Sequence, residues 1–209
     1  MIAWTIAVAK ACPEIDRVIV STDDKEIAEV AASFGAEVPF LRPQLLAGDE
    51  APMLSVVRHV VDEIPVPDDA LIVLLQPTSP FRTAADLEAA IGLLFASGAR
   101  SLVSIVRTET HPHWALKTDP HGRIAPFLSG VDKGTRRQDL ESAFRPNGAI
   151  YLARAGAIRE GEGWHGVDTI GYEMPRERSL DIDDPWDLEI ARAIVHSRTP
   201  KICPDMSKP

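Results

Sequence analysis

Cysteine is scarce in this chain: Cys12 and Cys203 are the only two in 209 residues. They are far apart, with no second cysteine at metal-ligand spacing, so neither a disulfide framework nor a thiolate zinc site is suggested and reduced thiols are expected. Long hydrophobic runs are missing too. No stretch approaches the roughly 18–20 apolar residues of a membrane span, and the first residues lack the basic start and small-residue cleavage site of a signal peptide. A cytoplasmic protein without membrane contact is the expectation. Basic charge is also short, since 22 Lys and Arg against 31 Asp and Glu leave a formal net charge of -9. That balance argues against a general nucleic-acid binder, which needs a basic surplus to neutralise a phosphate backbone. An anionic ligand must therefore find a local basic pocket.

What is present, 45% apolar and 25% charged residues, suits one globular domain with a single sizeable core. Short β-branched runs alternate with helical periods, which predicts an α/β domain with a mostly parallel sheet and helices on both faces. Met1–Ala11 has helical spacing, with Ile2, Ile6 and Ala9 on one face and neither a cap nor a strand before it. The chain is thus expected to start inside a helix, short of the first strand and its following loop. Arg17–Ser21 reads as a buried strand; Asp23 and Glu26 read as a capping box for a helix burying Ile27, Val30 and Phe34, closed by Gly35. A short strand at Glu37–Leu41 precedes a helix begun by Pro52 and carrying Leu54, Val57, Val61 and Ile64.

The apolar run Ala70–Leu75 reads as a strand buried on both faces, and a helix bearing Leu87, Ile91 and Leu94 then runs to Gly98. Ser101–Val106, Gly148–Leu152 and Asp168–Glu173 are further strands, and residues 107–146 form an irregular excursion between the first two of them. Asp184 is the expected N-cap and Pro185 the first residue of a last helix burying Leu188, Ala191 and Ile194. The reading is one domain over 1–197 with a frayed tail at 198–209.

Three features carry chemistry. Gln76-Pro-Thr-Ser-Pro-Phe-Arg82 follows the most apolar strand, where open parallel sheets place ligands, and its two prolines stiffen a loop presenting Gln76, Thr78 and Ser79. A plain strand-to-helix turn is the other reading. Asp181 and Asp183 alternate across Ile182, so extended backbone points both carboxylates to one face. Such a pair suits Mg2+, which takes one or two carboxylates plus phosphate oxygens; crowding at a helix N-terminus is the alternative. Arg136, Arg137 and Arg145, with Lys117 upstream, form the densest basic stretch, either a clamp for an acid or a solvated surface. Gly161-Glu-Gly-Trp-His-Gly166 matches a dinucleotide pattern but precedes a strand instead of joining a strand to a helix, and His111 with His113 lacks a third metal ligand.

Taken together, Val20-Ser-Thr-Asp-Asp24, Leu41-Arg-Pro43, Leu75-Gln-Pro-Thr-Ser-Pro80, Arg137-Gln-Asp-Leu140, Phe144-Arg-Pro-Asn-Gly-Ala-Ile-Tyr151 and Ser179-Leu-Asp-Ile-Asp183 resemble the acylneuraminate cytidylyltransferase family over nearly the whole chain. The resemblance implies a Rossmann-like nucleotide-diphospho-sugar transferase fold. It implies CMP transfer from CTP to the anomeric hydroxyl of a nonulosonic acid with release of pyrophosphate. The QPTSP and NGAIY motifs favour the sialic or legionaminic acid branch. By the same resemblance Arg42 contacts the nucleotide, Gln76, Lys117, Arg137 and Tyr151 line the sugar-acid site, and Asp181 and Asp183 are the catalytic carboxylates that ligate Mg2+. A homodimer is implied, the 107–146 excursion crossing to the partner so that Lys117 and Arg137 complete the neighbour's site. The Ala-Arg-Gly-Gly-Ser-Lys type phosphate loop with which such enzymes begin is not in this sequence, so impaired activity is expected; a non-catalytic, dimerising relative with a residual sugar-acid site is the alternative.

Overall fold

The computed structural model describes residues 1–48, 50–129, 136, 139–164 and 166–197. A mixed four-stranded sheet has the order β1 (Leu71–Leu74), β5 (Phe144–Arg154), β2 (Ser101–Arg107), β6 (Thr169–Glu173). β5 is antiparallel to β1 and β2, while β2 is parallel to β6, so three of the four strands point one way, as the alternating pattern predicts. The two-residue period of the strands builds two cores. Leu102, Ile150 and Leu152 pack on Leu87, Ile91 and Leu94 of α4 (Ala84–Ser97). Val103, Tyr151 and Ala153 face the other way, toward Val57 and Val61 of α3 (Met53–Glu63), Ile158 of α5 (Ala155–Glu160) and Trp164. Each such buried aliphatic side chain stabilises the fold by about 1.5–3 kcal/mol relative to exposure.

The Ala70–Leu75 run differs from its reading. β1 is a half-buried edge strand paired, among the described residues, with β5 alone. Its faces are covered, Leu71 and Val73 by one core and Ile72 and Leu74 by the other, so its remaining exposure lies along the open edge. The two earlier predicted strands are reduced to isolated parallel bridges, Ile19 with Glu37 and Thr22 with Leu41. Pro39 lies between the bridged residues and has no N–H, so a continuous ladder cannot run past it.

α1 (Ile2–Lys10) has no side-chain cap, in keeping with its sequence. α2 (Lys25–Ser33) is capped one residue later than predicted: Asp24 accepts from the amides of Glu26 at 2.7 Å and Ile27 at 3.0 Å, and Thr22 Oγ1 holds the Asp24 amide at 3.2 Å. Its predicted core face is also corrected. Ile27, Val30 and Phe34 remain 43%, 40% and 40% exposed, because α2 packs through the small Ala31 against Ile6 and Ala36.

The excursion contains a separate hairpin of β3 (Leu116–Thr118) and β4 (Ile124–Pro126), turned at Asp119–Gly122. α6 (Pro185–Ser197) starts where predicted: Asp184 Oδ1 accepts from the Asp187 amide at 2.9 Å, and Asp187 Oδ2 accepts from the amides of Asp183 and Asp184. Among the described residues no helix is long and apolar enough to cross a membrane.

Candidate active site

Three chain segments meet where β5 leaves its regular pairing with β2. The register slips between Val103 and Ile105, so β5 bulges and Gly148 adopts φ +73°. Positive φ suits glycine, and close packing excludes any side chain as well: a Cβ here would lie 2.6 Å from Gln76 Oε1, 2.7 Å from Ser79 Oγ and 2.9 Å from Asp181 Oδ2. The loop after β1, the bulge of β5 and the segment before α6 are therefore in direct contact.

Specific bonds fix this junction. Ser79 is fully buried, and its Oγ lies 3.0 Å from the Asn147 carbonyl and 3.2 Å from Asp181 Oδ1. The Ile182 amide donates to the Thr78 carbonyl at 2.9 Å, leaving Asp181 and Asp183 on either side of the buried Ile182. Upstream, Arg178 donates to both oxygens of the buried Asp86, at 2.9 and 2.7 Å. Burial alone would raise the Asp86 pKa, but the bonds from Arg178 and Thr83 outweigh it and hold the acid below its ordinary value.

The electrostatics are acidic at the mouth and basic beneath. Asp183 is pushed up chiefly by the neighbouring Asp181 charge, then by slight burial and by Asp187 and Asp184, with Arg145 opposing. Among the described members of the predicted basic stretch, Arg145 is the one whose charge opposes the rise at Asp183. Arg82 is 2% exposed; its Nη1 donates to Thr5 Oγ1 at 3.0 Å and its Nη2 to the Gln76 carbonyl, while its Nε is buried without a partner. Burial brings its guanidinium down to about 10, with the Asp181 charge pulling the other way. Tyr151 is raised by burial and then by Asp181, and its ring stands edge-on to Trp164 with centroids 5.8 Å apart.

Of the residues singled out in the sequence, Gln76 and Asp181 meet at Gly148, and Tyr151 and Asp183 are near enough for the Asp181 charge to raise them. Gln76 also reaches Met53 Sδ from Nε2 at 3.7 Å. Arg42 instead donates to Asp23 at 3.4 Å, with its Nε buried and unpartnered. Lys117 is exposed on β3, with no hydrogen bond to the cluster among the described residues, and Arg137 lies outside the described residues. Sequence reading missed Asn147 and Arg82 as organisers of the site; an Asn-Gly pair inside an apolar strand was the available signal for the first. Among the described residues no group of three His, Cys, Asp or Glu could hold a metal. Two carboxylates nevertheless match the chemistry of Mg2+, a hard ion that takes few protein ligands and completes its shell with water and phosphate oxygens. A small recess lined by Arg107, His111, Leu140 and Glu141 contains none of the predicted site residues.

The cytidylyltransferase family model matches residues 1–123. The chain belongs to the cytidylyltransferase family. N-acylneuraminate cytidylyltransferase of Escherichia coli is 31% identical over 199 residues, which are 95% of this chain and 46% of that protein, so the chain spans about half the length of this relative. CMP-N,N'-diacetyllegionaminic acid synthase of Legionella pneumophila is 31% identical over 93% of this chain and 84% of its own length. Pseudaminic acid cytidylyltransferase of Campylobacter jejuni is 26% identical over 93% of this chain and 84% of its own. The fold of this chain is shared with CMP:2-keto-3-deoxy-manno-octonic acid synthetase complexed with CTP, at TM-score 0.68 and 14% identity, covering 94% of this chain and 87% of that one.

Proposed function

We propose that the protein transfers CMP from CTP to the anomeric hydroxyl of a sialic-type nonulosonic acid. The observation that carries this reading is the convergence of Gln76, Ser79 and Asp181 on Gly148, with Tyr151 and Asp183 both sensing the Asp181 charge. The anomeric oxygen forms a bond to the α-phosphorus, the hydroxyl proton is released, and the bond to the β-phosphate breaks to free pyrophosphate. Holding the two reactants in line converts an encounter into a positioned reaction. Gln76 and Tyr151 orient the sugar acid from the β1 and β5 sides, and Asp181 and Asp183 hold Mg2+. When bound, that ion neutralises triphosphate charge. The 31% identity to the N-acylneuraminate and diacetyllegionaminic enzymes, against 26% to the pseudaminic one, supports the sialic or legionaminic branch.

The protein works as a homodimer in this reading. The β3–β4 hairpin supplies the contact, since Leu116, Ile124 and the adjoining Phe127 are 58%, 71% and 63% exposed, and it delivers Lys117 to the neighbour's site, which Arg137 of the same 107–146 excursion is proposed to complete. The test is pyrophosphate release from CTP across a panel of nonulosonic acids with and without Mg2+. Release should be slow, since the phosphate loop with which such enzymes begin is not in this sequence, should require acid and metal together, and should disappear in Asp181→Asn. No release with any member of the panel would overturn the assignment.

A further inference from the structure

Asn147 is fully buried and every polar atom of its side chain is used. Its Oδ1 accepts from Ser104 Oγ at 2.6 Å and from the Ala149 amide at 3.2 Å; its Nδ2 donates to Ser179 Oγ at 2.9 Å and toward Met174 Sδ at 3.4 Å. The orientation of the amide is forced from both ends. Ser104 Oγ accepts from the Ile150 amide at 2.7 Å, so its proton goes to Oδ1; Ser179 gives its proton to the Pro175 carbonyl at 2.9 Å, so it accepts from Nδ2. A carboxylate would face an acceptor whose proton is already committed, and an apolar side chain would strand both hydroxyls. The main-chain carbonyl of the same residue meets Ser79 Oγ, which also meets Asp181 Oδ1.

One residue thus joins β2, the bulge of β5, the loop after β1 and the segment before α6. We propose that Asn147 is a positioning residue: through Ser179 and Ser79 it sets where the Asp181 carboxylate stands relative to Gln76. What the positioning serves rests on the transferase reading above; that it occurs does not. Ser179 is two residues from Asp181, and Ser79 is three from Gln76; losing the side-chain bonds to Ser104 and Ser179 frees the segment before α6 directly and loosens the bulge whose Asn147 carbonyl holds Ser79. Supporting residues that orient ligating groups change activity by about 10–100-fold when removed.

The test compares Asn147→Ser with Leu94→Ala, a cavity variant in the α4 core, both in the full chain. Hydrogen exchange should rise about tenfold or more across residues 76–83 and 178–184 in Asn147→Ser, above any rise in Leu94→Ala at equal thermal destabilisation. The Ile182 amide, bonded across the two segments to Thr78, is the most direct reporter. Per folded molecule, kcat/KM for pyrophosphate release should fall about 10–100-fold in Asn147→Ser and stay unchanged in Leu94→Ala. Ser179→Ala leaves Asn147 in place, removes the acceptor of Nδ2 together with the hydroxyl's own bond to the Pro175 carbonyl, and carries the same expectation should Asn147→Ser not accumulate. Exchange in the two segments no greater than in Leu94→Ala would overturn the proposal. A wild-type protein that releases no pyrophosphate would overturn the transferase reading instead, while the exchange result still decides the role of Asn147.

Discussion

Gly148 is the position at which backbone conformation and site geometry constrain each other most closely. A side chain there must adopt a strained φ and displace oxygens of Gln76, Ser79 and Asp181. Gly148→Ala is expected to cost about 1–3 kcal/mol, the range for a non-glycine residue held in sparsely populated backbone, measured as a lowered urea midpoint with an unchanged slope. A change within about 0.5 kcal/mol, typical of an unremarkable surface site, would show that the loop yields easily. Asp183 makes a second prediction. Its carboxyl is raised in the folded state, chiefly by Asp181, so the folded protein holds its proton more tightly than the unfolded chain does. Stability contributed by the protonated form is therefore lost as pH rises through the raised value. Asp183→Asn should raise the melting temperature slightly at neutral pH, and the gain should vanish below the ordinary carboxylate range; an equal gain at both pH values would refute the electrostatic account. At this scale the sequence was partly legible. Alternation across Ile182 does place the two aspartates together, but the buried partners of Asn147 and Arg82 come from segments remote in sequence and leave no local pattern.

Helices and strands were legible where local signals agreed with packing. α4 combines a Thr83/Asp86 capping box, an apolar face on β5 and β2, and Gly98 in the left-handed region, so its sequence reading and its structure coincide. α2 does not: a convincing apolar face at Ile27, Val30 and Phe34 is left half in solvent because close approach to α1 is made through Ala31. Periodicity identifies a face; it does not identify the neighbour. The bond between α4 and the segment before α6 makes a testable case. Arg178 is the cation paired with buried Asp86, and Tyr172 adds a hydroxyl bond at 3.2 Å. Removing Arg178 as Arg178→Met leaves that acid buried and unpaired, at an expected cost of about 2–3 kcal/mol, reduced from the fully buried case because Arg178 is about one-third exposed. The folded-state pKa of Asp86 is depressed, so the stability it confers is present above about pH 4, the unfolded value, and is lost as pH falls through the depressed value. Denaturation curves at pH 7 and pH 3 should therefore show a large Arg178→Met defect at the first and a smaller one at the second. Equal defects would mean that the arginine acts by packing alone.

The assembled chain poses a charge problem that its parts do not. In the proposed reading a chain with a net charge of -9 must still hold a triphosphate and a sugar carboxylate, and among the described residues the buried Arg82 interacts with the Asp181 charge and Arg145 with that of Asp183. Arg82 is enclosed between α1 and the Gln76 carbonyl, so it can bias the field but is not free to clamp a ligand. Lys117 is a better candidate for contact because it is exposed and lies on a hairpin whose apolar side chains also face outward. A second copy covering Leu116, Ile124 and Phe127 would remove apolar surface from water and bring that lysine to an acidic site at the same time. Ile124→Glu places a charge on the most exposed of the three. It is expected to shift the mass in light scattering from dimer to monomer without lowering the melting temperature of the isolated fold, and to abolish pyrophosphate release together with the dimer. Lys117→Ala should leave the mass unchanged and raise KM for the sugar acid by about tenfold or more, as expected for a lost charge-assisted bond of about 1.5–3 kcal/mol. A monomeric Ile124→Glu variant that retained full activity would separate the hairpin from catalysis and return Lys117 to the surface.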